Sequence, residues 1–242
     1  MSVAALIGAA AGLVQAASYL IYVAQTLRRD CRPNGMSWVM WSYGGLVVVA
    51  MQVHLGAPWT VVAVPAVGLA CSVAIAVVAF SRCDRLRPDR QDWTALGIDA
   101  MLTAGYVAAV AAGALSRAFG AVVALVGLCA LTSAWPALRS TFANPRNERP
   151  LAWFVGAGSH GLMALATLAE GLAWPFLVYP ALSLATELAV GLLALRAGGS
   201  AGPRPAAPAR TATAARRKGE KRRVASRLPR AAAAVRRRAI RD

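Results

Sequence analysis

The chain is short of charge, and the shortage is local. Up to Ala197 long stretches carry no charged residue, and only 15% of the whole sequence is Asp, Glu, Lys or Arg. A soluble domain needs a charged surface, so this composition excludes one over most of the chain. Motifs that carry chemistry are missing too. There is no Walker loop, no GxGxxG after a strand, no HExxH and no GxSxG, which leaves little to build an enzyme on. The one residual enzyme reading is an intramembrane site on His160 and Glu187, and the chain is read as a non-enzyme. The four cysteines, Cys31, Cys71, Cys83 and Cys129, have no spacing that fits a zinc site or a disulfide framework. No metal and no cofactor is expected, and nothing reads as β structure.

What is present is hydrophobic: 58% of the residues, in runs that approach or exceed ~20 residues. That is the length needed to cross ~30 Å of hydrocarbon as a helix. Seven spans can be drawn, at about 3–26, 36–53, 58–80, 94–114, 118–138, 151–169 and 173–195. The first lacks the basic start of a signal peptide and is read as a true span. The expected fold class is therefore an all-α membrane protein with seven transmembrane helices.

The run Pro65–Phe80, PAVGLACSVAIAVVAF, returns as PALSLATELAVGLLAL at Pro180–Leu195, an offset of 115 with six of sixteen positions identical. The same offset carries Trp38 onto Trp153, and each follows a basic, proline-containing corner. A period this long implies two halves of one domain. Residues 1–81 and 118–196 are then three-helix repeats, with 82–117 a linker helix between them. The linker restores the direction that an odd number of crossings would reverse, so the copies run parallel. Residues 197–242 form an Ala/Arg/Pro-rich tail with 14 Arg or Lys against Glu220 and Asp242, expected to be disordered.

Charge also orients the spans. The corners and tail hold 25 Lys or Arg, and the opposite side holds only Arg117. The positive-inside rule then predicts a plasma or inner membrane protein with its N-terminus outside and its C-terminus cytoplasmic.

The first corner reads Tyr22-Val-Ala-Gln-Thr-Leu-Arg-Arg29, then Arg32-Pro-Asn-Gly-Met-Ser-Trp38; the second reads Trp135-Pro-Ala-Leu-Arg139, then Asn144-Pro-Arg-Asn-Glu-Arg-Pro-Leu-Ala-Trp153. Over residues 1–197 this resembles the PQ-loop superfamily, which includes the SWEET sugar transporters. The resemblance implies a 3+1+3 helix arrangement, an outside N-terminus and solute transport. The family's Pro-Gln pair is represented here by Ala24-Gln25 in one half and Pro136-Ala137 in the other. Gln25, Pro33, Trp38, Pro145, Glu148 and Trp153 make up the corner motif. SWEET-type proteins place hinge prolines in the first two helices of each unit, whereas Pro65 and Pro180 fall in the third. A proline inside a helix frees a carbonyl and permits bending, which makes Pro65, Pro180 and Pro136 the candidate hinges.

Polar groups at mid-depth are costly in lipid and therefore informative. Glu187 lies past the middle of span 7, with Ser72 as its repeat partner; His160 lies at the middle of span 6, and Gln15 near the middle of span 1. A solute site between two halves is expected at that depth. Contact between Glu187 and His160 would make a proton-responsive pair, while Gln15 reads as packing glue. Asp99 is expected near the cytoplasmic face, reaching water or an arginine, and Glu148 is expected to pair with Arg146 and Arg149. Trp38, Trp41 and Trp153 read as an aromatic belt. Helical spacing also puts Trp38, Trp41 and Gly45 on one face, and Trp153, Gly156 and His160 on another. On an inward face Trp41 would stack on a sugar or other planar ligand.

These features predict transport of a small polar solute, sugar- or amino-acid-like, by alternating access, with Glu187, His160, Ser72, Gln15 and Trp41 as candidate binding residues. The rival is a receptor or scaffold of the same fold that moves no solute, its tail on lipid or a cytoplasmic partner. Expected partners are the bilayer, the solute and anionic lipid head groups along the tail; a homo-oligomer is left open.

Overall fold

The computed structural model describes residues 2–82, 89–113 and 119–199. The tail from 200 on, Cys83, Arg85, Arg87 and Arg117 lie outside the described residues. Those described hold helices and no strand. In order they are α1 (Val3–Leu27), α2 (Gly35–His54), α3 (Trp59–Arg82), α4 (Arg90–Ala111), α5 (Phe119–Ala143), α6 (Pro150–Ala169) and α7 (Pro175–Leu195). Short 3-10 turns follow α5 at Pro145–Asn147 and α7 at Arg196–Gly199. Six helices, α1 to α4 with α6 and α7, are long and apolar enough to cross a membrane, and α5 is 25 residues long. The chain is thus a multi-pass membrane protein by length and composition.

Helix starts are set by short polar side chains that take the first free amides. Ser2 Oγ accepts from Ala5 N at 3.1 Å, and Asn34 Oδ1 accepts from Met36 N at 3.0 Å. Asp89 and Asp92 form a reciprocal capping box that starts α4 at Arg90, about a turn before the expected edge. Helices α2 and α6 end alike. Gly56 and Gly171 adopt φ of 71° and 66°, a left-handed step that lets the chain turn out of the helix. Ala57 N then donates to Gln52 O at 2.9 Å, and Leu172 N to Thr167 O at 3.2 Å. Each of these residues stands 115 positions from its counterpart. So do the helix bounds: shifting Gly35–His54 by 115 gives 150–169, the bounds of α6, and shifting Val3–Leu27 gives 118–142, one residue from α5.

The side-chain pattern is that of a protein solvated by lipid. On α1, Leu6, Leu13, Leu20 and Leu27 recur every seven residues and are exposed. The face turned inward carries Gly8, Ala11, Gly12, Gln15, Ser18 and Tyr22, all buried. Hydrocarbon welcomes leucine on the outside, and small residues let helices approach within the bundle. Gly8 shows how close: a Cβ there would lie 2.6 Å from the carbonyl oxygen of Thr60 on α3.

Helix α3 packs between α1 and α2, and α7 packs between α5 and α6. The two groups meet where α1 lies on α6 and α2 lies on α5, with α4 against α5 and α2. Among the described residues the backbones of α1 and α2 stay apart, as do those of α5 and α6, and side chains such as Tyr22 and Trp38 span the interior between them.

Gly8→Ala should lower the thermal midpoint of the detergent-solubilised protein by an amount equivalent to about 1–3 kcal/mol, the usual cost of overpacking. Gly97→Ala, where an added Cβ meets nothing within 4 Å, should leave the midpoint unchanged or higher. Equal effects would contradict the close α1–α3 crossing.

Candidate functional site

A cavity lies between the two helix groups, with an empty volume of about 810 Å³ counting open space at its edges. The first group contributes Ser18, Tyr19 and Tyr22 from α1, Trp38 and Trp41 from α2, and Pro65 and Ser72 from α3. The second contributes Ser133 from α5, Trp153 and His160 from α6, and Tyr179, Ser183, Thr186 and Glu187 from α7. Clefts between the helices of a bundle are places where small ligands bind.

Glu187 and His160, far apart in sequence, meet here. Glu187 Oε1 lies 3.5 Å from His160 Nε2, and the imidazole packs edge-on against the Tyr179 ring at 5.6 Å. Gly156 makes the arrangement fit: a Cβ there would sit 2.5 Å from Glu187 Oε2. Three buried polar atoms of the lining, Glu187 Oε2, His160 Nδ1 and Thr186 Oγ1, make no hydrogen bond within the protein. Buried polar atoms left without a partner are uncommon and costly, so each calls for one.

Trp38, Trp41 and Trp153 do not form a belt. Trp38 and Trp153 are only 3% and 5% exposed, and they pack with Trp41 and Tyr22 into one aromatic cluster on the cavity wall. Ring centroids are 4.7 Å apart for Tyr22 and Trp38, 4.8 Å for Trp38 and Trp41, and 5.5 Å for Trp41 and Trp153. Burial against one another removes more apolar surface than an interfacial position would. The expected shared faces do form, and both look into the cavity.

Beside this cluster the two corners are laced together. Tyr22 Oη donates to Glu148 Oε1 at 3.0 Å, and Trp153 Nε1 donates to Oε2 at 3.1 Å. Glu148 is therefore bonded by aromatic donors of α1 and α6 in place of the arginine pairing expected from its neighbours; Arg149 Nε reaches the Asp30 carbonyl instead, at 3.2 Å. Arg32 N donates to Asn147 O at 2.7 Å, and Ser18 Oγ to Ala152 O at 2.8 Å. At the other end of the bundle Thr60 Oγ1 donates to Glu170 Oε1 at 2.9 Å.

The remaining expected residues divide. Ser72 lines the cavity and shares a hydrogen bond with Tyr19 Oη at 3.3 Å. Gln15 is buried and accepts from Ser159 Oγ of α6, a packing contact between the halves as read. Pro65 lines the cavity from inside α3, whereas Pro180 and Pro136 sit inside α7 and α5 away from its wall. Pro136 offers its carbonyl to Asn34 Nδ2 at 3.4 Å. Pro33 lies in the first corner and Pro145 opens the 3-10 turn of the second. Gln25 keeps its side-chain oxygen buried and unbonded.

Asp99 does not reach water or an arginine. It is fully buried against α5, where Thr132 Oγ1 and Ser133 Oγ donate to it, the latter at 3.0 Å. Arg139 belongs to α5 and not to a loop, and it grips Asp89, Gln91 and Asp92 at the start of α4. Its guanidinium holds the Asp89 carboxyl below the usual carboxylate range.

Beyond Ser72, the lining hydroxyls Ser18, Ser133, Ser183 and Thr186 are not singled out by charge or aromaticity. Ser18 and Tyr22 are four apart, and Tyr179, Ser183 and Glu187 recur every four residues. Polar groups at that spacing on an apolar helix mark one inward stripe, and the signal was there to read. In comparisons with known proteins no family model matches the chain, and neither does a curated protein or a solved structure.

Burial pushes the Glu148 carboxyl up to about 8, against the pull of its two donors. A carboxyl raised in the fold binds its proton more tightly there, so its contribution to stability is whole below about 4.5 and is lost as pH rises toward about 8. The stability of the wild type relative to Glu148→Gln, which cannot ionise, should fall across that window in detergent melting curves. A difference that stays flat with pH would contradict the buried position of this carboxyl.

Proposed function

We propose that the chain is a transporter for a small polar solute, built as two parallel three-helix repeats joined by α4 and working by alternating access. One observation carries the reading: a cavity lined by both groups, in which Glu187, His160 and Thr186 each keep a buried polar atom unbonded within the protein. Such atoms suit a solute or its water of hydration. The duplication is supported by the common offset of 115 in the corner tryptophans, the helix bounds and the Gly56 and Gly171 turns. It is supported too by the packing order, since exchanging α1, α2 and α3 for α5, α6 and α7 turns the α1–α6 contact into the α5–α2 contact. Parallel repeats of this kind rock about a shared site in transporters.

Rocking requires contacts between the halves that break one end at a time. Tyr22–Glu148–Trp153 and the corner bonds would close one end, and Thr60–Glu170 the other. Pro65, on the cavity wall inside α3, is placed to bend between the two states. The arginine-rich corners face the cytoplasm in this reading, and the basic tail from 197 on contacts anionic lipid. A receptor or scaffold that moves no solute would favour an interface filled by Ala and Leu; the hydroxyls and the carboxylate of the lining support the transporter over it.

Purified protein in proteoliposomes should carry at least one solute from a panel of sugars, amino acids and amines, and Glu187→Ala should cut that flux about tenfold or more, the effect of losing one polar contact worth ~1.4 kcal/mol. No flux for any member of the panel would overturn the transporter reading; flux indifferent to Glu187→Ala would remove that residue from the site.

A further inference from the structure

We infer that the cavity selects a small organic cation, an amine or quaternary ammonium, over a neutral or anionic solute. This rests on reading the cavity as a solute site and names what the site would take. Among the described residues the wall holds one carboxylate, Glu187, with no Lys, Arg, Asn or Gln. An anion, or the carboxylate end of an amino acid, would find only His160, whose Nε2 already faces Glu187 Oε1. Without Asn or Gln among the described lining residues, a sugar would lose the paired donors and acceptors that fix its hydroxyls. What remains is a carboxylate among aromatic rings, the combination that holds a desolvated ammonium.

The placement fits this chemistry. Glu187 Oε2 rests over Gly156, a residue one turn along α6 from Trp153 and one turn short of His160. Oε1 faces His160 at 3.5 Å, which leaves Oε2 as the unbonded acceptor. Trp41 comes within 5.5 Å of Trp153, and both indoles line the cavity that Glu187 lines. A cation over an indole is attracted within about 6 Å of the ring centre, more strongly when water is excluded. The ammonium of a ligand seated in the cavity would be drawn to the Glu187 carboxylate and to the indole faces of its wall, and the lining hydroxyls of Ser72 and Ser183 would receive its polar remainder.

The test compares choline with 3,3-dimethyl-1-butanol, its uncharged carbon isostere, and with glucose. Binding to the purified full chain would be followed by tryptophan fluorescence and calorimetry, and uptake by proteoliposomes. Choline should bind at least about tenfold more tightly than the isostere, and glucose should not compete. Glu187→Gln should erase the preference for charge, and Trp41→Leu should weaken choline binding several-fold with less effect on the isostere. The comparison of ligands on the wild type stands even if a variant fails to fold. Equal or tighter binding of the isostere or of glucose would overturn the inference while leaving transport intact, as would the absence of choline binding beside flux of another solute. Selective choline binding without flux would uphold the cation site and remove the transporter reading instead.

Discussion

Hydrocarbon offers no hydrogen-bond partner, and that one constraint organises this molecule. A buried polar side chain in an apolar helix has to find its partner within the protein, and here several are met across the bundle. Ser159 donates to Gln15, Ser133 and Thr132 to Asp99, and Ser18 to the Ala152 carbonyl. Leucines are left on the outside, and glycines stand where two backbones or a backbone and a carboxylate must come close. The bundle is held by contact and by hydrogen bonds between helices, because lipid removes the solvent contrast that drives soluble cores together.

The same constraint singles out the cavity. Three buried polar atoms on its wall have no partner within the protein, and two of these belong to Glu187 and His160, which face each other there. Desolvated groups of this kind are expensive to maintain for structure alone. In the proposed reading their cost is offset when a solute arrives. The aromatic cluster and Glu148 then serve a second purpose, tying α1 to α6 beside the site. A contact that binds the two groups through a single titratable carboxyl is suited to being made and broken.

Much of this was legible in the residues. Length and hydropathy placed most helix ends within about a turn, although α5 runs five residues past its expected end to Ala143, and helical spacing put Trp38 with Trp41, and Trp153 with His160, on the faces they occupy. Glu187 and His160 stood out because charge at mid-depth is rare. Three features were not legible, each because it depends on which helices neighbour one another. Nothing local says that Glu148 bonds Tyr22, 126 positions away, in preference to the arginines beside it. Asp99 reads as a boundary residue until α5 is laid against it with Thr132 and Ser133. The tryptophans read as a belt for the same reason, since an indole suits both the membrane interface and a packed core.

The account stands on a polar interior that water and solute reach from each side of the membrane in turn. In a cysteine-free background, Ser183→Cys on the cavity wall should react with a membrane-impermeant thiol reagent applied from either side. Reaction from neither side, or only with a reagent dissolved in the lipid, would show a closed packing core there and contradict the account.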